Sequence, residues 1–86
     1  MTESKRVALV TGAGSGVGRY AALALLKDGF SVTIAGRRAE ALEETINLAG
    51  ENNSNTLAVP TDVTDPAAVS KLFESTKNRF GRLDLL

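Results

Sequence analysis

The chain has 86 residues, in which ten Lys plus Arg are matched by ten Asp plus Glu. That length holds one small domain at most, and a net charge of zero leaves no basic excess to bind nucleic acid or an anionic membrane by counterion release. With no Cys and no His, disulfides, a thiolate nucleophile, a Ser-His-Asp triad and the usual zinc ligands are all excluded.

Residues 7–10, Val-Ala-Leu-Val, form the continuous aliphatic run of a strand covered on both faces. Only Lys5 and Arg6 supply charge just ahead of it, and the run is too short for a signal-peptide core or a membrane span. A soluble cytoplasmic protein with no membrane or nucleic-acid partner is therefore expected. The glycine-rich segment 11–18, Thr-Gly-Ala-Gly-Ser-Gly-Val-Gly, stops the strand, and a helix is predicted over 16–28. Val17, Tyr20, Ala21, Ala24 and Leu25 stand at helical spacing, so Tyr20 is read as a packing residue. Gly29 suits the left-handed position just past the helix.

A second strand is predicted over 30–35 and a second helix over 39–49, with Leu42, Ile46 and Ala49 on its buried face and Glu40, Glu43 and Glu44 in solvent. Residues 50–55, which include the acceptor-like triplet Asn52-Asn53-Ser54, read as a polar loop, and residues 56–59 as a third strand. Asp65 and Pro66 are the cap and first residue of a third helix. Val69, Leu72, Phe73, Thr76 and Phe80 form its buried stripe, and Gly81 ends it. Leu83-Asp84-Leu85-Leu86 reads as the opening of a fourth strand that the chain does not complete. Strands separated by helices require parallel pairing, so the fold class is α/β, a doubly wound parallel sheet truncated at its fourth strand. Residues 1–86 are expected to be the N-terminal part of a single domain.

Closely spaced glycines between a strand and a helix start make an anion site, because the helix presents unpaired N–H groups and glycine lets a phosphate approach the backbone. A P-loop is excluded, since neither Gly12 nor Gly14 is followed at the required distance by Gly-Lys-Ser/Thr. The Gly-x-Gly-x-x-Gly form fails as well, because Val17 stands where its third glycine belongs. Gly-Ala-Gly-Ser-Gly at 12–16 is similar to the loop of S-adenosylmethionine-dependent methyltransferases. That family's two acids are missing: Val10 precedes the loop, and Gly36-Arg37-Arg38 closes the second strand.

Thr-Gly-x-x-x-Gly-x-Gly, read as Thr11, Gly12, Gly16 and Gly18, resembles the cofactor loop of the short-chain dehydrogenase/reductase family. The resemblance extends through the end of the second strand, through Asp62-Val63 after the third, and through Leu-Asp-Leu-Leu at 83–86. It implies a Rossmann-type sheet, a dinucleotide cofactor and, in a longer parent, a small carbonyl or alcohol substrate with association into homo-oligomers. It also implies residue roles. Gly12 permits the tight turn, with Thr11 tying it together. Ser15, Gly16 and Val17 present donors to the phosphates and adenosine ribose, Gly18 lets the helix approach the strand, and Asp62 and Val63 flank the adenine.

A carboxylate closing the second strand would accept from both ribose hydroxyls and repel a 2′-phosphate. Here Gly36 stands at that position, followed by Arg37 and Arg38. A guanidinium matches a phosphate with paired charge-assisted bonds. NADP is therefore expected over NAD, with Arg37 the main phosphate ligand and Arg38 the secondary one. The family's Tyr-x-x-x-Lys acid-base pair is not among these residues, because Tyr20 is followed four positions later by Ala24. The expected function is thus the NADP(H)-binding portion of an oxidoreductase, the alternative being a nucleotide-binding module without catalysis.

Overall fold

The computed structural model describes residues 6–85. Strand β1 (Val7–Thr11) leads through the glycine-rich turn into helix α1 (Gly16–Lys27). Strand β2 (Ser31–Gly36), helix α2 (Ala39–Ala49), strand β3 (Thr56–Pro60) and helix α3 (Pro66–Phe80) follow. The predicted polar loop at 50–55 is wound into a 3-10 turn, Gly50–Asn55, which compacts the link from α2 to β3.

All three strands are parallel, β2 lying between β1 and β3. Val7 pairs with Ser31 and Thr11 with Ala35, while Val32 pairs with Thr56 and Gly36 with Pro60. Leu85 forms a single parallel bridge to Ala8, so the segment after α3 starts along the other edge of β1. Asp84 helps to seat it by accepting the Val7 N–H at 2.9 Å. Leu86 lies outside the described residues.

Alternation along the strands divides the core in two. Ala8, Val32 and Ile34 pack with Ala22, Leu26 and Leu42 on the α1 and α2 side. Leu9 and Ala35 pack with Leu72 on the α3 side. Burial of each large aliphatic side chain contributes about 1.5–3 kcal/mol. Thr76 extends the α3 contact into the sheet, its hydroxyl lying 3.0 Å from that of Thr33 and donating to the Leu72 carbonyl at 2.9 Å. Helix α3 starts as expected, with the Asp65 carboxylate accepting the Ala67 N–H at 3.0 Å and Pro66 in first place.

Helix α1 departs from its expected orientation. Val17 and Tyr20 are 86% and 79% exposed, and Ala21 and Ala24 also face outward. The sheet-facing row is instead Gly18, Ala22 and Leu26, spaced by four, with Leu23 and Leu25 at its flanks. Backbone contact fixes this rotation: a Cβ on Gly18 would lie 2.6 Å from the Gly12 carbonyl carbon and collide with its oxygen. The helix therefore turns its glycine inward, and the larger Val17 and Tyr20 are carried to the outside. Tyr20 is a surface residue.

Candidate cofactor site

The site is built at the C-terminal ends of β1 and β2, where the glycine-rich turn crosses toward the start of α2. The turn needs glycine where φ is positive, at Gly12 (+65°) and Gly16 (+56°). Its first part is fastened to the sheet and to α2. The Ala13 N–H donates to the Ala35 carbonyl at 3.1 Å, and the Thr45 hydroxyl donates to the Ala13 carbonyl at 2.8 Å. Arg19 donates to the Gly14 carbonyl. Ser15, with extended backbone, is the residue before α1 and makes no side-chain capping bond.

A cleft of about 660 Å³ lies between this turn and α2. Gly12, Gly14 and Ser15 form one wall, Gly36, Arg37 and Arg38 the second, and the start of α2 closes it. The N-terminal ends of α1 and α2 both border the cleft, so two helix dipoles make it attractive to anions. The close fit depends on absent side chains. A Cβ on Gly14 would lie 2.9 Å from Ala41 Cβ, and one on Gly36 would lie 3.3 Å from Leu42 Cδ2.

Charges at the mouth are engaged in ion pairs. Arg37 reaches the Asp62 carboxylate at 3.4 Å, and Arg38 reaches Glu40 at 3.2 Å, with both arginine side chains at least 70% exposed. Asp62 accepts the Thr64 hydroxyl at 2.6 Å and the Thr64 N–H at 2.9 Å. These bonds, and secondarily the Arg37 charge, hold its carboxyl below the usual aspartate range. The oxygen proposed for adenine thus already closes a local turn.

Of the residues singled out in the sequence, the cleft brings together Gly12, Ser15, Arg37 and Arg38, and Asp62 joins them through its bond to Arg37. Gly18 stands behind the turn as a packing residue. Gly16 and Val17 are exposed at the head of α1. Val63 is turned away, 56% exposed, and lines an apolar groove beside Val10, Thr11 and Leu85. Sequence reasoning passed over Arg19 and Thr45, which connect α1 and α2, Arg19 itself lining the cleft. A cation directly after the last glycine, and a polar residue at an inward position of an amphipathic helix, were the available signals.

Residues 6–86 match the profile of the short chain dehydrogenase family. The chain belongs to that family. It is 40% identical over 81 residues to an uncharacterized oxidoreductase of Staphylococcus aureus (strain USA300), covering 94% of this chain and 34% of the relative. Among solved structures, the apo glucose dehydrogenase of Caenorhabditis elegans superposes with a TM-score of 0.88 at 37% identity, over 98% of this chain and 38% of that one. The 3-ketoacyl-(acyl-carrier-protein) reductase of Brucella melitensis complexed with NADH gives 0.85 at 37% identity, over 93% and 32%. This short-chain dehydrogenase chain therefore spans about a third of the length of these relatives. The methyltransferase alternative is set aside by the family match, and the doubly wound fold stands. Among the described residues no helix is long and apolar enough to cross a membrane.

Proposed function

We propose that these residues bind NADP(H) and form the cofactor-binding portion of an oxidoreductase that reduces carbonyls or oxidises alcohols. The carrying observation is the second wall of the cleft. Gly36 puts no carboxylate where a ribose would lie, and Arg37 and Arg38 follow it on the lip. Gly12 and Gly16 leave open space beside the turn, with nothing within 4 Å of an added Cβ, which would let a pyrophosphate approach the backbone at the start of α1. Ser15, Gly16 and Val17 would meet the pyrophosphate, Arg37 and Arg38 the 2′-phosphate, and Asp62 the adenine. When bound, the nicotinamide supplies hydride transfer.

The chain's own part is binding and orientation. Tyr20 is on the outside of α1 with Ala24 one turn later, so no lysine stands beside it at the four-residue spacing. The 86-residue chain alone is expected to bind NADPH weakly and to show no turnover. A cytoplasmic setting and homo-oligomeric association of the whole protein belong to the same reading. Absence of Cys leaves nothing among these 86 residues for an oxidising compartment to cross-link.

Arg37→Ala in the intact protein tests the cofactor choice by titration with both reduced nucleotides. Loss of a charge-assisted bond worth about 1.5–3 kcal/mol predicts a roughly 10- to 100-fold fall in NADPH affinity. NADH affinity should change less than about twofold, having no 2′-phosphate to lose. Equal losses for both would reject NADP as the preferred cofactor.

A further inference from the structure

Arg19 leaves the first turn of α1 directly after Gly18 and reaches across to α2. Unlike Arg37 and Arg38, it is largely buried, with its side chain 22% exposed. Its Nε donates to Thr45 Oγ1 at 2.9 Å. One terminal nitrogen faces the Gly14 carbonyl, the Ala41 carbonyl at 3.1 Å and the Glu44 carboxylate at 3.0 Å. Thr45, accepting from Arg19, passes its own hydroxyl hydrogen to the Ala13 carbonyl at 2.8 Å. Two successive carbonyls of the turn, at Ala13 and Gly14, are thereby held by one side-chain network spanning both helices.

The consequence follows from peptide planarity. The Gly14 carbonyl and the Ser15 N–H belong to one trans peptide unit and point in opposite directions. Holding the Gly14 oxygen against Arg19 therefore aims the Ser15 N–H away from that side chain. A guanidinium is suited to this task because its planar fork serves several acceptors at once, whereas an ammonium is a point donor. Glu44 accepts from the same terminal nitrogen that serves the two carbonyls, so the charge of the group has a partner.

We infer that Arg19 is a positioning residue for the pyrophosphate donors of the turn, acting through the Gly14 carbonyl, and that it is not a ligand of the 2′-phosphate. This rests on the dinucleotide reading above, from which it is separable by experiment. In the intact protein, Arg19→Leu should weaken NADPH and NADH alike, by tenfold or more, as followed by fluorescence of the reduced nicotinamide. Adenosine 2′-monophosphate, which lacks the 5′-diphosphate, should compete with NADPH for the wild type and should keep its affinity within twofold in the variant. Arg19→Lys should recover part of the loss. Thr45→Val, which removes the same network at its other end, should repeat the pattern and serves if Arg19→Leu does not fold.

A loss confined to NADPH would make Arg19 a 2′-phosphate ligand and overturn the inference. An equal loss for all three nucleotides would mark a general folding defect and overturn it too, as would no change for any of them. Failure of the wild type itself to bind either dinucleotide would remove the proposed function, and the inference with it. Dinucleotide binding that persists while the Arg19 pattern fails would remove the inference alone.

Discussion

Two concave regions on this molecule are nearly equal in size and opposite in construction. The cleft at the glycine-rich turn is walled by glycines, arginines and glutamates. A groove of about 640 Å³ along the free edge of β1 is walled by Leu9, Val10, Ala21, Leu25, Val69 and Phe73. In the cleft, the carbonyls of Ala13 and Gly14 are held by side chains from the neighbouring helices, while Ser15, Gly16 and Val17 at the head of α1 are exposed. Beyond Leu9, the groove edge of β1 carries no ladder bond among the described residues. Size therefore does not distinguish a ligand site here. The distinguishing features are which backbone donors are left free and which charges stand beside them.

Substitutions in the two regions should consequently differ in kind. The largest effects are expected at Gly18 and Leu72. Gly18→Val forces a side chain into the Gly12 carbonyl, and overpacking of about 3 kcal/mol should appear in a thermal melt together with loss of dinucleotide binding. Leu72→Ala, at the floor of the groove and 2% exposed, should cost a comparable 2–5 kcal/mol or so. It should, however, leave the ratio of NADPH to NADH affinity unchanged in the folded protein. A changed ratio would show that the two regions are not independent.

Thr45→Val comes next. It keeps the shape but strips the hydroxyl that serves Arg19 and the Ala13 carbonyl, leaving buried groups unsatisfied. Denaturant titration should register about 1–3 kcal/mol, and a neutral result would mean the turn is held by its backbone alone. A smaller effect concerns the seam where residues 84–85 meet β1. Asp84 is held below the usual aspartate range first by Arg82 and then by the Val7 N–H. Its folded value lies below its unfolded one, so its contribution is complete above about pH 4 and fades as the pH falls further. Asp84→Asn should thus be less stable than the wild type at pH 7 and converge with it in acid. A constant difference across that range would remove the carboxylate from the account. The smallest effect is expected on the outer face of α1, where Tyr20→Ser should change stability by no more than about 0.5 kcal/mol.

Much of the fold was legible because its signals are local. Asp65 and Pro66 announce α3, Gly29 and Gly81 take positive φ after α1 and α3, and the order of strands and helices follows from short apolar runs and helical spacing. The glycine spacing at 12–18 carried the family resemblance for the same reason, since a tight strand-to-helix turn depends on a few adjacent residues. The packing stripe of α1 was not legible in this way. Val17, Tyr20, Ala21 and Ala24 are as regular in sequence as Gly18, Ala22 and Leu26, and apolar character favours the wrong row.

The sequence alone therefore determined the parallel α/β order, the glycine-rich anion turn and the arginines after β2, because each depends on neighbours along the chain. Tertiary structure decided the rotation of α1, the separation of Val63 from the cleft and the task of Arg19. These depend on contacts made through space: Gly18 meets the Gly12 carbonyl across the turn, and Arg19 reaches Thr45 on another helix. Side-chain volume, backbone hydrogen bonding and burial are settled together there, and no periodicity in the sequence encodes the outcome.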